Sequence, residues 1–481
     1  MNQELKSWCE KAEELRVKLS DEYFRMQVGL KYSEKEIHKF EEESKKLVEE
    51  FLKNFNEPKQ LYYSCVESLA GSKTYKLMLK LHELRKTKIS TKKYSSGGKP
   101  LCWTSWRQWA CTAEDKARKE VYDEFISKVP AISPAIKERF DTAKKIIAAY
   151  GTDPLKNYLY QHKMPLQKLK EVIEELRAAV KPVFEKKFSY YTKKAFGREP
   201  RYYDDFYVMR NVIYNDMIPH FKKVKPLVEV KKTMEKLGIS TEGVKVDDVS
   251  RPNKYPSPFM EAIQVPNDIR VSFKAENPLN DTNSIYHEFG HAVHYKHINA
   301  KLPYWVRYDC SEGLAETFST FFEMLISNKL FLEKEFGIKK EIAEQIVERN
   351  NFSELYAIAF YTGNSEFKID YWDKNISFEK ADTHYAKCIK NSMGINIPGA
   401  YWQLHHILPE SLMYVPSYML AKINAHSLHS KLAEKYGEMW WREKKAGEEI
   451  KSWMKPGAYS PTGNFSKIDS KQFVKEIKNW N

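Results

Sequence analysis

The stretch His287-Glu288-Phe289-Gly290-His291 constrains the fold most, because its two histidines can act together only on a helix. Residues four apart lie on one face of an α-helix, so both imidazoles can bind the same metal ion. The helix-capping residues Asp281 to Ser284 precede the stretch and predict a helix over about residues 285–300. Glycine is costly inside a helix, so Gly290 is expected to allow close packing against a neighbouring element. Glu288 is expected to act as a general base toward water at the metal.

A catalytic zinc ion usually takes three protein ligands, so one more ligand has to come from another element. Residues 311–323 predict a second helix with acidic positions at Glu312, Glu316 and Glu323. Glu316 is surrounded by small and apolar residues, and a buried carboxylate is unfavourable unless it is paired or bound to metal. Glu316 is therefore the preferred third ligand and Glu312 its rival, while Glu323 is expected to orient one of the histidines.

Other features of the chain favour a catalytic site over a structural one. The six cysteines form no closely spaced pair of the kind that structural zinc sites use, and reduced thiols are expected.

His294 lies two turns after His287, about 10 Å along the helix, too far to share its metal ion. His294 and His297 are expected to have structural or supporting roles.

The composition is that of a large helical protein. Of 481 residues, 42% are hydrophobic and 30% are charged, with both signs mixed along most of the chain. The formal charge of +14 is interpreted as a lysine-rich solvated surface rather than a nucleic-acid site. No apolar run approaches the ~20 residues of a membrane span. The sequence therefore predicts a cytoplasmic protein without nucleic-acid or membrane partners.

Two interruptions divide the helical pattern. Residues 88–100 are rich in Ser, Gly and Lys and predict a loop. Residues 244–280 contain five prolines around an alternating stretch, Asp268 to Phe273, which predicts a strand before the metal-binding helix. That strand is either an exposed edge that binds a peptide through its main chain or an ordinary structural strand. We divide the single unit into an N-terminal helical lobe, 1–195, and a catalytic region, 196–481.

The metal-binding stretch resembles the M3 peptidases, which are thimet oligopeptidase-like gluzincins. Residues 287–294 are similar to that family's HEFGHxxH motif. Between His291 and Glu316 lie 24 residues, a spacing similar to that of the family. The acidic helix with Glu316 and Glu323 is also similar. This resemblance places Glu316 ahead of Glu312.

A second resemblance lies near the C-terminus and includes features of the M32 carboxypeptidases. Residues 405–418 resemble the His and Tyr region of both families, and the Tyr-x-Pro-x-Tyr form of Tyr414 to Tyr418 is nearer to M32. In those families a Tyr or His of this region faces the zinc and stabilises the oxyanion. The resemblance therefore implies Tyr418, Tyr414 and His406, in that order, as candidates. The likeness extends over roughly residues 260–460.

The resemblance implies a mainly α, two-lobed helical metallopeptidase with a deep cleft and a small β-sheet next to the zinc helix. It implies one Zn²⁺ per chain and hydrolysis of peptide bonds in short unfolded peptides, as an oligoendopeptidase, with water activated by zinc and Glu288. One alternative is an M32-like metallocarboxypeptidase, which needs a cation such as Arg307 to hold the terminal carboxylate. The other alternative is a zinc-containing peptide-binding protein without turnover.

Overall fold

The computed structural model describes residues 3–480. The first two residues of the predicted N-terminal lobe and the last residue of the predicted catalytic region lie outside the described part. The chain is mainly helical with two small sheets, which confirms the predicted fold class. The helices of the first half are α1 Gln3–Gln27, α2 Glu34–Asn54, α3 Lys59–Thr87, α4 Trp106–Ala110, α5 Asp115–Ser127, α6 Ser133–Ala149, α7 Pro154–Gln161, α8 Leu166–Phe196 and α9 Pro226–Lys236.

The second half contains the metal-binding helix and the C-terminal helices. These are α10 Pro278–His297, α11 Tyr304–Tyr308, α12 Glu312–Glu323, α13 Lys329–Phe336, α14 Lys340–Asp373, α15 Phe378–Met393, α16 Tyr401–Leu404, α17 Pro416–Tyr436, α18 Lys444–Met454 and α19 Lys471–Asn479. The strands are β1 Ser90–Ser96, β2 Lys99–Cys102, β3 Val244–Asp247, β4 Phe259–Gln264 and β5 Asp268–Ser272.

The stretch predicted as a loop at residues 88–100 is a β-hairpin, so that prediction is wrong. β1 pairs antiparallel with β2, and Ser96 lies opposite Lys99 across a two-residue turn. Gly97 and Gly98 form the turn with φ of 58° and 74°, which glycine adopts without a steric penalty. The Gly-Gly pair was the hairpin signal in this polar stretch.

The predicted strand before the metal-binding helix is confirmed as β5, but it is not an edge. The three-stranded sheet has the order β3-β5-β4, in which β5 pairs parallel with β3 and antiparallel with β4. The backbone N–H and C=O groups of β5 are therefore hydrogen-bonded on both sides, whereas β4 is an edge of this sheet. Apolar side chains of the sheet, including Ile269 and Val271, pack with Ile285 and Phe289 of α10 in one core.

Two large hydrophobic cores hold the body together. The first is formed mainly by helices from residues 81–213, together with the second part of α14 and the start of α17. The second contains the three-stranded sheet, α10 and α12, with the first part of α14 and the end of α17. No single cut in the chain separates these cores, because α14 and α17 contribute to both. The boundary predicted between residues 195 and 196 stays a prediction.

Among residues 3–480, no helix combines the length and apolar character needed to cross a lipid bilayer.

Candidate metal centre

Helix α10 carries the two histidines and begins earlier than the capping residues predicted. Asn277 is the N-cap, and its side chain accepts a hydrogen bond from the backbone N–H of Asn280. Pro278 follows at the first helical position, where its missing N–H is not needed. Thr282 follows the first turn and donates to the carbonyl of Pro278 at 2.6 Å. The imidazole rings of His287 and His291 are then one turn apart, with centroids separated by 5.0 Å.

Helix α12 brings Glu316 to the same face of the histidines. Ser311 caps this helix through a hydrogen bond from the N–H of Leu314. Close packing between α10 and α12 is possible because Gly290 has no side chain. A Cβ at that position would lie 2.4 Å from the carbonyl oxygen of Phe318, which matches the expected role of Gly290. Glu316 is 7% exposed, as its sequence neighbours predicted.

The three predicted ligands come together with the donor atoms that a metal ion needs. The Nε2 atoms of His287 and His291 lie 3.6 and 3.8 Å from Oε2 of Glu316. All three ligand atoms lie within 4.8 Å of one another. Zinc bonds of about 2.0–2.1 Å in a tetrahedron place neighbouring ligand atoms about 3.3 Å apart. To bind one zinc ion, the two His–Glu distances have to contract by a few tenths of an ångström, and the separation of the two imidazole nitrogens by up to about 1.5 Å.

The two other acids of α12 occupy different environments. Oε2 of Glu323 lies 2.9 Å from Nδ1 of His287, on the side of the ring opposite the ligand nitrogen. This contact holds the ring and fixes its tautomer, as expected for an orienting carboxylate. Glu312 lies 3.8 Å from Nε2 of His162 and faces a separate cavity of about 170 Å³ behind Tyr414. Glu312 is therefore not part of the ligand set in this structure.

The carboxylate of Glu288 lies next to the ligands and is held by the sheet. It accepts a hydrogen bond from the backbone N–H of Met260 on β4. Burial is the main cause that raises the pKa of Glu288 to about 7. The charges of Glu316 and Glu323 also raise this pKa, whereas His287 lowers it. A carboxylate with a pKa near neutrality can both accept and return a proton, which is the property of a general base.

In the protein without a bound ion, burial and neighbouring charges set the pKa values of the three ligand side chains. Burial disfavours protonation of His287, but the hydrogen bond and charge of Glu323 and the charge of Glu316 outweigh it and raise its pKa to about 9. Burial lowers the pKa of His291 to about 4. Burial also disfavours the charged form of Glu316, yet the neighbouring histidines and Tyr414 hold its pKa below the usual value. The centre thus concentrates negative charge where a cation would bind.

The three residues proposed for the oxyanion lie at different positions relative to the ligands. The Tyr414 hydroxyl donates to Oε1 of Glu316 at 2.5 Å, so it is at the centre itself. The Tyr418 ring lies between those of Tyr414 and Tyr361, with centroid distances of 5.3 and 4.9 Å. Burial is the main cause that raises the pKa of both Tyr414 and Tyr418, so both keep their protons and can donate.

His406 lies on the chain between α16 and α17 and is kept neutral. Burial and the neighbouring cations Arg107 and Arg85 lower its pKa to about 4. A guanidinium nitrogen of Arg107 lies 3.5 Å from Nδ1 of His406. Arginine only donates, so Nδ1 has to accept and Nε2 carries the proton. His406 can therefore donate through Nε2.

The remaining histidines of α10 are turned away from the ligand set. His294 is fully buried against Phe318, with ring centroids 4.4 Å apart. Nδ1 of His297 lies 2.8 Å from the carbonyl oxygen of Val293. Both positions agree with the structural or supporting roles expected for them.

A cavity of about 490 Å³ adjoins the centre on the side of Glu323. Its wall includes three cations, Arg107, Arg210 and Lys422, which the sequence did not single out. Lys422 pairs with Glu354 at 2.6 Å, whereas no carboxylate among residues 3–480 lies within 4 Å of either arginine. In a chain with 79 Lys and Arg residues, no sequence signal distinguishes these two. Arg307, which was considered at the sequence level, instead pairs with Glu13.

Two histidines and a glutamate that converge beside a cavity, with Glu288 next to them, form the kind of site that a metallopeptidase needs. A family model described as carboxypeptidase Taq (M32) metallopeptidase matches residues 115–369, which include α10 and α12. The chain belongs to this family and is a metal-dependent peptidase that hydrolyses peptide bonds. The match supports the M32 part of the expected resemblance and does not support its M3 part. It ends before residues 405–418, on which the M32 likeness was based.

A solved structure described as "PZ peptidase A with inhibitor 2" is similar over the whole body. The TM-score is 0.67 at 14% sequence identity, and the alignment covers 100% of this chain and 97% of that one. At this identity the likeness supports the fold alone. Among curated proteins no match was found.

Proposed function

We propose that the protein is a zinc-dependent carboxypeptidase that shortens small unfolded peptides and holds one Zn²⁺ per chain. The observation that carries this proposal is the ligand set His287, His291 and Glu316 beside a cavity whose wall contains Arg107 and Arg210. The three residues would hold the ion, which supplies a Lewis acid that polarises a carbonyl and lowers the pKa of water. A cytoplasmic location and the absence of nucleic-acid partners stay predictions from the sequence.

Glu288 is proposed to move the proton. Its carboxylate takes a proton from the attacking water and returns it to the amide nitrogen that leaves. The hydrogen bond from Met260 fixes the carboxylate against the sheet, so its orientation is set before substrate binds. Glu323 keeps Nδ1 of His287 engaged, which leaves Nε2 free as a ligand atom.

The oxyanion is proposed to be stabilised chiefly by Tyr414. Its hydroxyl is already within hydrogen-bond distance of a ligand oxygen, and a donor at this position serves developing negative charge. Tyr418 packs behind Tyr414 and supports its ring. Nε2 of His406 supplies a second, neutral donor. This order differs from the one expected from the resemblance, in which Tyr418 came first.

Release of C-terminal residues, rather than internal cleavage, is supported by Arg107 and Arg210 of the cavity wall, which they share with Asp205, a carboxyl whose charged form Arg107 favours. A carboxypeptidase has to recognise the terminal carboxylate, and a guanidinium does so through two parallel hydrogen bonds. Arg107 is a suitable anchor because it contacts His406 and also lies over the Phe206 ring at 5.5 Å. Arg210 lines the same cavity.

Internal cleavage is a second candidate, supported by a neighbouring cavity of about 370 Å³. This cavity shares Met324, Ser327, Asn350 and Glu354 with the wall of the first cavity. If the two join, a peptide has room for several residues beyond the cleaved bond. An oligoendopeptidase would use that space.

The two modes are distinguished with matched peptides that have either a free C-terminal carboxylate or a C-terminal amide. Zinc-loaded enzyme is incubated with both sets, and products are identified by mass spectrometry, with Glu288→Gln as control. We expect loss of single residues from free acids, at least about 100-fold slower cleavage of amides, and zinc-loaded but inactive Glu288→Gln. Internal cuts at equal rates in both sets would establish the endopeptidase. Zinc-loaded protein without any product would favour the peptide-binding alternative.

A further inference from the structure

The segment 403–412, at the end of α16 and just after it, is held by side chains of three other helices. Most of it has no regular secondary structure, so its carbonyls need partners from elsewhere. The donors are Arg85 on α3, Arg139 on α6, and Lys368 and Trp372 on α14. Six carbonyls accept these hydrogen bonds: Gln403 at 3.1 Å and His405 at 2.8 Å from Arg85, Leu408 at 2.9 Å from Lys368, Pro409 at 3.0 Å and Glu410 at 2.6 Å from Arg139, and Leu412 at 2.9 Å from Trp372.

Three of these donors are basic side chains in a buried setting. Arg85 is 4% exposed, Arg139 is 7% exposed and Lys368 is fully buried. Within residues 3–480, Arg85 has a carboxylate partner in Glu410, while Arg139 and Lys368 have none within 4 Å. Burying basic groups without counter-charges is costly, and burial holds the pKa of Lys368 well below its usual value. Apolar residues of similar volume would serve stability better. Their hydrogen bonds converge on one short segment, which points to a role in fixing its position.

This segment carries or precedes the donors proposed for the oxyanion. His406 lies within it, and His405 stabilises its turn by accepting the N–H groups of Ile407 and Leu408. The backbone N–H of Tyr414 donates to the Ser411 hydroxyl at 2.8 Å, directly after the last anchored residues. The position of the segment therefore sets where the His406 ring and the Tyr414 hydroxyl stand relative to the ligands on α10 and α12.

We propose that Arg85, Arg139 and Lys368 are positioning residues that hold segment 403–412 through its carbonyls and thereby aim Tyr414 and His406 at the metal centre. None of the three touches the reacting atoms. Arg139 and Lys368 act through the segment alone, while Arg85 also places its charge near His406. The kinetic part of this proposal rests on the proposed function, whereas the structural part does not.

The test uses full-length, zinc-loaded Lys368→Met and Arg85→Met. Met has nearly the length of Lys but donates no hydrogen bond, so Lys368→Met removes one donor and leaves the packing. Lys254→Met is the control for a buried lysine. Lys254 bonds to the carbonyls of Asp247, Val249 and Phe273, far along the chain from the segment, and unlike Lys368 it also pairs with a carboxylate, that of Asp247. Hydrogen exchange, zinc content, kcat and KM are measured for all three.

We expect Lys368→Met to raise amide exchange in residues 403–414 about tenfold, as the loss of one net hydrogen bond implies, with unchanged exchange in α10 and α12. Its kcat is expected to fall roughly 10- to 100-fold through misplacement of the donors, with KM within about threefold and full zinc content. Lys254→Met should leave exchange in 403–414 and kcat unchanged. Arg85→Met, which loses two carbonyl contacts, should have larger effects; if it does not fold, Lys368→Met decides alone.

Combination with Tyr414→Phe and His406→Ala separates positioning from general destabilisation. If Lys368 acts by aiming Tyr414 and His406, adding Lys368→Met to a Tyr414→Phe, His406→Ala background is expected to slow turnover by no more than about twofold further, since coupled residues are not additive. The proposal would be overturned if the losses in kcat multiplied in the combined variant. It would also be overturned if the zinc content fell and amide exchange became faster throughout the chain. If the wild-type protein cleaves no peptide, the proposed function fails, and the exchange comparison still decides whether the cations hold the segment.

Discussion

Replacing Gly290 by alanine should disturb the metal centre without touching any ligand. The added Cβ would lie 2.4 Å from the carbonyl oxygen of Phe318 and 2.6 Å from Cα of Ser319. Both neighbours are backbone atoms of α12, which cannot rotate away as a side chain can. Ordinary contact begins at 3.4 Å, so α10 and α12 have to separate by about 1 Å.

The size of the effect follows from that displacement. His287 and His291 lie on one side of the contact and Glu316 on the other, and metal sites tolerate ligand errors of about 0.2 Å. We therefore expect zinc affinity to fall by at least about 10- to 100-fold. Overpacking costs about 1–3 kcal/mol, which the better helix propensity of alanine offsets by about 1 kcal/mol. The free energy of unfolding should thus fall by up to about 2 kcal/mol.

Zinc affinity is measured by competition with a chromophoric chelator, and stability by urea unfolding of the same samples. Gly71→Ala is the control, because Gly71 lies inside α3 and a Cβ there would meet nothing within 4 Å. The control should gain up to about 1 kcal/mol of stability and bind zinc like the wild type. If Gly290→Ala also bound zinc with wild-type affinity, the contact of α10 with α12 would not set the ligand spacing.

Three further predictions concern the surroundings of the centre. Tyr414→Phe should lower kcat by about 10²- to 10³-fold and Tyr418→Phe by less than about tenfold; the opposite ranking in steady-state kinetics would restore Tyr418 as the main oxyanion donor. Glu323→Ala should weaken zinc binding by about 10- to 100-fold in chelator competition, and unchanged affinity would show that it does not orient its histidine. Burial lowers the pKa of His162 to about 4, so this group binds protons more tightly in the unfolded chain, and stability is lost as the pH falls from about 6.5 to 4. Urea unfolding at pH 7 and 4.5 should show His162→Gln losing about 2 kcal/mol less than the wild type, whereas equal losses would show that His162 is not buried in its neutral form.

The helices that carry the predicted ligands could be found from the sequence, because the information is local. His287 and His291 needed only helical spacing, and the burial of Glu316 followed from its small and apolar neighbours. The start of α10 was placed seven residues too late, since Asp281 to Ser284 also cap helices in general. Asn277 is the actual cap, and Asp281 accepts the N–H of Glu276 from within the first turn.

What the sequence did not provide depends on contacts between distant segments. Arg85 meets the carbonyl of Gln403, 318 residues away, and no local pattern separates it from the many exposed basic residues. Arg107 faces the cavity because α4 lies next to the segment that contains His406, which is far along the chain. Alternation predicted β5 but could not indicate its neighbours, so its central place in the sheet was missed.

The metal centre is assembled from elements of two hydrophobic cores that share the continuous helices α14 and α17. The ligands belong to elements of the second core, whereas Tyr414 and His406 are carried by chain that packs on the first. Affinity for zinc and the rate of turnover are therefore separate properties, and mutations can alter one while leaving the other. A preparation with full zinc content is not for that reason fully active, and active-site titration, rather than metal analysis, has to define the concentration of working enzyme.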